Sequence, residues 1–387
     1  MNGTIYMPVG EVCSSISDTY REKKNRVTLI NTSDVLEGRV LNHERVPNSN
    51  LKGQFKKTFQ RDDILYSEIR PQNRRFAYVD FSPIDYIAST KLMVIRAKKD
   101  VVSPKYLYYF LKNSSTVAEL QLLAETRSGT FPQITFSEVA NLTIPVPSLA
   151  VQEVIVQTMQ CLEDKITCNE QINDNLQQQA FSVFDNLIAN AENNDYTVSD
   201  YAFLNPKRTL AKNQVARSID MSQLSTSGAF PSGWEMKPFN GGMRFTNGDT
   251  LLARITPCLE NGKTAFIDFL DDGEVAFGST EYIVLAPKND TPPEMLYCLA
   301  RYPAFVDYAV KNMNGSSGRQ RVSAETVGQY RLPLFDKHSL VLFKEVVSPM
   351  FLKMRYNSLE NMRLAELRDA LLPKLMSGEI NVSAVQL

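Results

Sequence analysis

The chain has 387 residues, of which 43% are hydrophobic, so it can bury two cores of ordinary size. We find no signal peptide and no apolar run near the roughly 20 residues of a membrane span, so a cytoplasmic location is expected. The five cysteines form no C-x-x-C pair and the two histidines are far apart in the sequence. This pattern argues against a disulfide framework, a zinc site and a histidine-based catalytic site.

The net charge of −1 hides an uneven distribution along the chain. The net charge is +5 over residues 1–150, −5 over 151–190, −2 over 191–338 and +1 over 339–387. Nonspecific attraction of the isolated chain to nucleic acid should therefore be weak. If DNA is the target, other subunits are expected to supply part of the positive surface.

The first 150 residues predict short strands followed by helices. Turn residues separate the expected strands Val27–Ile30, Asp63–Ile69, Phe76–Phe81 and Lys91–Ile95. Helices are expected at Pro104–Lys112, where proline suits the first turn, and at Val117–Ala124. The prolines of Leu142–Pro147 are expected to break regular structure before the next element.

A long amphipathic helix is predicted from about Ala150 to Ile188. Its apolar residues recur at spacings of three and four, as in the seam of a coiled coil. Asn169 falls in the same seam, where a buried polar side chain can fix the register of helix pairing. The alternative is that this helix packs only against its own domain.

The second half of the chain repeats the first at a nearly constant offset. The stretch RDDILYSEIRP at 61–71 reappears as NGDTLLARITP at 247–257, and Ser89-Thr90 reappears as Ser279-Thr280. The predicted elements recur in the same order, with strands at Gly248–Ile255, Thr264–Phe269 and Glu281–Leu285 and helices at Pro293–Arg301 and Ala304–Lys311. A repeat that spans nearly half the chain indicates duplication of a whole domain.

A second long helix is predicted from about Leu340 to Met376, with Asn357 and Asn361 interrupting its apolar seam. A seam of this length exceeds what one small domain covers, so we expect the two long helices to pair with each other. Each would span roughly 55–60 Å. Antiparallel pairing would place the two globular regions at opposite ends, related by an approximate twofold axis.

The predicted fold class is therefore α+β, with two similar domains separated by two long antiparallel coiled-coil helices and pseudo-twofold symmetry. The predicted division is a first globular domain at 1–149, a first helix at 150–190, a second globular domain at 191–338, and a second helix with a C-terminal tail at 339–387.

The motifs of common enzymes are missing from the sequence. The stretch Asn261–Thr264 resembles the end of a phosphate-binding loop, but Pro257 occupies the position of its first glycine. Asn205-Pro206-Lys207 is not the Asn-Pro-Pro-aromatic motif with which an amino-methyltransferase holds a flipped base. Asp63 and Asp249 recur at equivalent places, and turn and capping roles explain them. We therefore predict no catalytic residues and no metal site.

Two loops in each copy carry side chains that can contact DNA. Arginine and lysine bind phosphates or guanine, and asparagine and glutamine can pair with adenine. A solvated polar turn is the ordinary alternative for any one of these residues. The loop frames match between the copies while the polar residues differ, which favours two recognition surfaces of different specificity. The candidates are Arg70, Asn73, Arg74, Arg75, Arg127, Thr130 and Gln133 in the first copy, and Arg254, Asn261, Lys263, Arg319, Gln320 and Arg321 in the second.

With these features the chain resembles the specificity subunit of a type I restriction-modification system. Three stretches carry the resemblance: LLARITPCLENGKTAF at 251–266 leading to GSTEYIVLAP at 278–287; Pro147–Leu187 with its LEDKI and N-x-x-I-N-x-x-L phrases; and LAELRDALLPKLMSGEI at 364–380. The second globular region is slightly acidic, and the first matches the family's phrasing less closely.

The resemblance implies a subunit without catalytic activity or a cofactor of its own. Two target-recognition domains would each read half of a bipartite site in double-stranded DNA, and the two helices would fix the gap and dock two methyltransferase subunits. Adenosyl-methionine, ATP and Mg²⁺ would belong to the methyltransferase and restriction subunits of the complex, which methylates adenine and cleaves unmodified DNA. Two alternatives stay open: a self-contained methyltransferase, whose motifs are missing, and a coiled-coil adaptor that binds only proteins.

Overall fold

The structure is a computed structural model that describes residues 4–22, 24–49, 53–127, 130–191, 195–316 and 318–382. Two compact units are present: unit 1 comprises 1–163 and 365–387, and unit 2 comprises 164–364. Each unit includes part of both long helices, whereas the sequence predicts the helices as segments of their own. The predicted four-part division therefore stays a prediction.

Unit 1 combines short strands with helices that follow them. Its strands are β1 (Ile5–Pro8), β2 (Cys13–Ile16), β3 (Arg26–Ile30), β4 (Val35–Leu36), β5 (Arg39–Val40), β6 (Arg45–Pro47), β7 (Phe55–Lys57), β8 (Ile64–Ser67), β9 (Phe76–Tyr78), β10 (Tyr86–Ser89), β11 (Leu92–Ala97) and β12 (Thr143–Val146). Its helices are α1 (Val9–Val12), α2 (Pro104–Lys112), α3 (Ser114–Arg127), α4 (Phe136–Asn141) and the first part of α5 (Leu149–Ala189).

Two four-stranded sheets organise unit 1, in the orders β2-β11-β8-β9 and β6-β3-β10-β7. Neighbouring strands are antiparallel except β3 and β10, which are parallel. The segment around Pro145, predicted to be irregular, is the strand β12, which pairs with β1 in a two-stranded sheet. Proline is tolerated there because an edge strand does not need every backbone donor.

Unit 2 repeats these elements except for the β4-β5 pair, which has no counterpart among its described strands. Its strands are β13 (Tyr196–Thr197), β14 (Ala202–Leu204), β15 (Val215–Ile219), β16 (Glu235–Pro238), β17 (Met243–Phe245), β18 (Thr250–Ala253), β19 (Thr264–Phe266), β20 (Ala276–Gly278), β21 (Tyr282–Pro287) and β22 (Arg331–Leu332). Its helices are α6 (Val198–Tyr201), α7 (Pro293–Arg301), α8 (Pro303–Lys311), α9 (Ala324–Gly328) and most of α10 (Lys337–Ser377).

The sheets of unit 2 follow the plan of unit 1. Their orders are β14-β21-β18-β19 and β16-β15-β20-β17, with β13 paired to β22. The one parallel pair among the strands described in this unit, β15 with β20, corresponds to β3 with β10. This agreement, pair for pair, confirms the duplication that the sequence repeat predicts.

The two long helices pack against each other in antiparallel fashion within each unit. In unit 1, Met159 of α5 and Leu372 of α10 share one buried cluster with the strands and helices of the globular region. In unit 2, the rings of Phe184 and Phe343 lie 6.3 Å apart, edge to face. In both units, higher residue numbers on α5 meet lower numbers on α10. The predicted helix pairing is therefore present.

Asparagines form a polar layer in the seam of unit 2. The buried Asn169 amide donates to Oδ1 of Asn361 at 2.8 Å and to Oε2 of Glu360 at 2.7 Å. One layer further on, Asn357 donates to Oδ1 of Asn173 at 2.8 Å. Since these amide hydrogen bonds form only in one alignment of the helices, the layer fixes their register.

Asp63 and Asp249 take the turn roles expected of them. Oδ2 of Asp63 accepts from the backbone N–H of Gln60, and Oδ2 of Asp249 from that of Thr246, both at 2.8 Å. Each buried carboxylate is also paired with an arginine, from a different element in each unit: Asp63 with Arg96 at 2.7 Å and Asp249 with Arg208 at 2.6 Å. These aspartates stabilise the turn before β8 and β18.

Asp249 should make the stability of unit 2 depend on pH. Burial outweighs the backbone donor and Arg208, and raises the pKa of Asp249 from 3.8 to about 6. The folded state then holds a proton that the unfolded state has lost between these values, so this contribution is complete below pH 3.8 and disappears as pH rises through about 6. Compared with Asp249→Asn, the wild-type free energy of unfolding should fall by on the order of 2–3 kcal/mol over this interval. Urea titrations at several pH values measure the free energy of unfolding of both proteins. A wild-type stability that rose with pH relative to Asp249→Asn would contradict the raised pKa of Asp249.

Across the described ranges, none of the helices combines the length and the apolar character required to cross a membrane.

Candidate nucleic-acid interface

The two candidate loops of unit 1 lie side by side. Ile69, after β8, forms an isolated antiparallel bridge with Gln133. The Arg70 N–H donates to the carbonyl of Pro132 at 3.1 Å, and the Ile134 N–H donates to the carbonyl of Glu68 at 2.9 Å. These segments are far apart in the sequence, yet backbone hydrogen bonds join them into one surface.

Unit 2 joins its two candidate loops through the same bonds. Ile255 bridges to Arg321. The Thr256 N–H donates to the carbonyl of Gln320 at 3.0 Å, and the Val322 N–H donates to that of Arg254 at 3.0 Å. Gln133 and Arg321 therefore occupy equivalent backbone positions, as do Glu68 and Arg254.

A third segment, the turn that enters β11 or β21, completes each surface. The Glu68 N–H donates to the carbonyl of Lys91 at 3.0 Å, and the Arg254 N–H donates to that of Glu281 at 3.0 Å. We call these surfaces the loop patches: 68–75, 89–91 and 130–134 in unit 1, and 254–263, 279–281 and 318–322 in unit 2.

The first loop of unit 1 has a strained backbone around exposed side chains. Arg70 and Arg74 have φ values of 45° and 53°, which residues other than glycine rarely adopt. They flank a short 3-10 turn at Pro71–Asn73. The side chains of Arg70 and Asn73 are exposed. A strained backbone of this kind persists only where surrounding contacts hold it in place, and such positions cluster at functional sites.

Two other candidates in this loop make internal contacts. Nη2 of Arg74 donates to Oγ of Ser114 at 2.8 Å. Nη1 of Arg75 donates to the carbonyl of Ser33 at 3.0 Å and to that of Val35 at 3.4 Å. Arg75 thus anchors the loop, a role that the sequence did not reveal.

The second loop of unit 1 mixes anchors with exposed groups. Nη1 of Arg127 donates to Oε1 of Glu138 at 2.6 Å, at the start of α4. Thr130 is exposed, and the half-buried Gln133 accepts from Nζ of Lys91 at 3.2 Å. Ser128 and Gly129 lie outside the described residues.

In unit 2, the first loop holds one exposed and two partly buried candidates. Asn261 is exposed, whereas Nζ of Lys263 donates to the carbonyl of Met221 at 2.7 Å. Arg254 is half-buried, and its buried Nε has no hydrogen-bond partner among the described residues. Lys263 therefore braces the loop.

In the second loop of unit 2, Arg319 is exposed and Gln320 is half-buried. The guanidinium of Arg321 forms a two-pronged ion pair with Glu281, with Nη2 to Oε1 at 2.7 Å and Nε to Oε2 at 2.9 Å. This hydrogen-bonded pairing lowers the pKa of the Glu281 carboxyl, so the carboxylate stays ionised near neutral pH.

Three residues of the loop patches were not among the predicted candidates: Glu68, Lys91 and Glu281. The available signal was the repeated Ser-Thr phrase, which precedes Lys91 in the first copy and Glu281 in the second. The two copies share the Ser-Thr phrase but place residues of opposite charge directly after it. This pattern indicates that the turn is retained while the side chain that follows it has changed.

Several known proteins with similar sequences are specificity subunits of type I restriction enzymes. The model of the type I restriction modification DNA specificity domain matches residues 6–178. A type I restriction enzyme HindI specificity subunit of Haemophilus influenzae is 29% identical, with 92% of this chain and 94% of that protein covered. A type I restriction enzyme MjaIX specificity subunit of Methanocaldococcus jannaschii is 22% identical over 78% of this chain and 76% of its own.

The fold points the same way. The crystal structure of a type I restriction-modification S subunit from M. genitalium matches 97% of this chain and 96% of its own, with 16% identity and a TM-score of 0.53. That likeness shows a shared fold, and the sequence matches indicate a type I restriction-modification specificity subunit.

Proposed function

We propose that this chain is the DNA-sequence-specific subunit of a type I restriction-modification complex and reads a bipartite target in double-stranded DNA. Each loop patch would face one half of the target. Phosphate contacts would set the position of each globular domain, and side chains of the patch would read base edges in the major groove.

The comparison of the two patches carries this proposal. The three segments of each patch are joined by the same backbone hydrogen bonds, while equivalent positions carry different side chains, such as Gln133 against Arg321. A retained scaffold with altered polar groups supports two recognition surfaces of different sequence preference. The adaptor alternative does not account for this pairing of a constant frame with variable polar groups.

The long helices are the proposed docking surface for two methyltransferase subunits, with restriction subunits joining the same complex. α10 supports this part of the proposal because several apolar side chains on it are exposed, and exposed apolar surface marks protein interfaces. Their exposed fractions lie between 43% and 47% for Val341, Leu342, Val346 and Leu352. Methyl transfer and cleavage, with adenosyl-methionine, ATP and Mg²⁺, would take place on those partners.

Exchange of the second recognition domain tests the proposal. Replacing residues 191–338 with the equivalent domain of another family member should change one half of the methylated sequence and leave the other half unchanged. Single-molecule methylome sequencing of cells that produce the chain with its partner subunits measures both halves at once. Cells without the chain serve as the control, and a change in both halves or in neither would overturn the modular interpretation.

A further inference from the structure

Three equivalent positions in the two loop patches carry different side chains, and at two of them the charge is reversed. Unit 1 has Glu68, Lys91 and Gln133, and unit 2 has Arg254, Glu281 and Arg321 at the same places. The same backbone hydrogen bonds form at these positions in both units, so the two units share the backbone arrangement and differ in the side chains. We call each set the patch triad.

In unit 2, the triad holds one guanidinium in a fixed orientation. Glu281 takes the Nε and Nη2 edge of Arg321, and Nη1 of Arg321 donates to the carbonyl of Arg319 at 3.2 Å. A guanidinium has five N–H donors, and Glu281 and Arg319 take three of them among the described residues, so Nη1 and Nη2 each keep one hydrogen. The Arg321 side chain is 40% exposed, which leaves these donors accessible to a ligand.

In unit 1, the triad orients an amide in the same place. Nζ of Lys91 donates to Oε1 of Gln133 at 3.2 Å and lies 3.4 Å from Oε2 of Glu68. The ammonium therefore fixes which end of the Gln133 amide carries the oxygen. That oxygen keeps a second lone pair, and among the described residues none accepts from the amide nitrogen, which has two donors.

We propose that Arg321 and Gln133 are the base-reading residues of the two patches, and that Glu281 and Lys91 are the positioning residues that orient them. This inference rests on the proposed function. Arg321 keeps one donor on each terminal nitrogen, and an arginine that donates twice matches O6 and N7 of guanine. Gln133 presents a donor and an acceptor, which match N7 and N6 of adenine. The two half-sites would thus differ by guanine against adenine at the equivalent position.

Transplanting the triad tests the assignment directly. The variant Arg254→Glu/Glu281→Lys/Arg321→Gln gives unit 2 the side chains of unit 1 on an unchanged frame. Methylome sequencing should show guanine replaced by adenine at one position of one half-site, with the other half-site and the spacer unchanged. An active triple variant that keeps the wild-type preference would overturn the proposal.

Single substitutions decide the matter if the triple variant does not fold. Arg321→Lys keeps the charge but loses the two-pronged donor edge, so preference for guanine at that position should fall about 10- to 100-fold in selection of binding sites from a DNA library. Glu281→Gln should relax the same position without affecting others, and Glu281→Asp should retain part of the preference. Glu281 variants that keep the wild-type preference for guanine at this position would contradict the positioning role of Glu281.

A matched control separates orientation of Arg321 from general stability. Asp307→Asn removes one acidic charge from α8 of the same unit, where Asp307 pairs with Lys311 at 2.6 Å on the surface. It should leave base preference unchanged. A wild-type complex without bipartite methylation would refute the proposed function, whereas a wild type with a bipartite site and variants that keep its preference would refute this inference alone.

Discussion

Inserting one heptad into each long helix should move methylation to a site whose halves lie about three base pairs further apart. The helices α5 and α10 are continuous over 41 residues each. Seven residues add ~10 Å of helix and preserve the seam, because two helical turns of a coiled coil contain seven residues. The insertions belong between Glu163 and Asp164 and between Leu364 and Ala365, where the chain passes from one compact unit to the other. Methylome sequencing reads the new spacing.

A heptad in α5 alone is the matched control. It would force one of the two helix contacts, near Met159 or near Asn169, out of alignment, so methylation should be lost. Methylation of the original spacing by the double-insertion chain would show that the helices do not determine the spacer.

Removing the Glu163 carboxylate should destabilise unit 1 strongly. Glu163 of α5 accepts from the Tyr109 hydroxyl at 2.8 Å, pairs with Nζ of Lys112, and lies 3.8 Å from Nη1 of Arg368. The Lys112 side chain is only 13% exposed, and burial lowers the pKa of its ammonium. Glu163→Ala would leave that buried charge unpaired, at a cost of about 3–5 kcal/mol in the free energy of unfolding. Urea titration measures the loss.

The double variant Lys112→Met/Glu163→Leu tests the cause. It removes both charges and replaces them with apolar groups of similar size, so much of the lost stability should return. Glu153→Ala, which removes an exposed carboxylate from the same helix, should change stability little. A double variant as unstable as Glu163→Ala would show that the unpaired Lys112 charge is not the cause and would point to the lost hydrogen bond of Tyr109.

The elements that the sequence predicted best carry strong local signals. Pro104 and Pro293 mark the starts of α2 and α7, and both predicted spans agree with the structure residue for residue. The predicted limits of the long helices fall close to the observed ones, since an apolar seam of that length has no other interpretation. Periodicity and proline position are local properties, so a single sequence records them.

What the sequence did not reveal depends on contacts between distant segments. The parallel pairing of β3 with β10 joins strands that are far apart in the chain, and no pattern within either strand specifies its partner. The same limit applies to the candidate site. Nothing local shows that Ile69 meets Gln133, or that Arg75 and Lys263 donate to internal carbonyls. The predicted residues lie in loops that backbone hydrogen bonds join, and long-range pairing separates anchors from exposed groups.

Unit 1 is assembled from both ends of the chain, and this has a consequence for biosynthesis. Leu375 and Met376 lie in the same buried cluster as Val9 and Val12, near the opposite end. During synthesis, most of unit 1 therefore emerges from the ribosome long before its last core residues do. Unit 2, in contrast, is continuous in the sequence. A prematurely terminated product keeps apolar surface uncovered at its beginning, which exposes it to aggregation and proteolysis. Only finished polypeptides should accumulate in the cell.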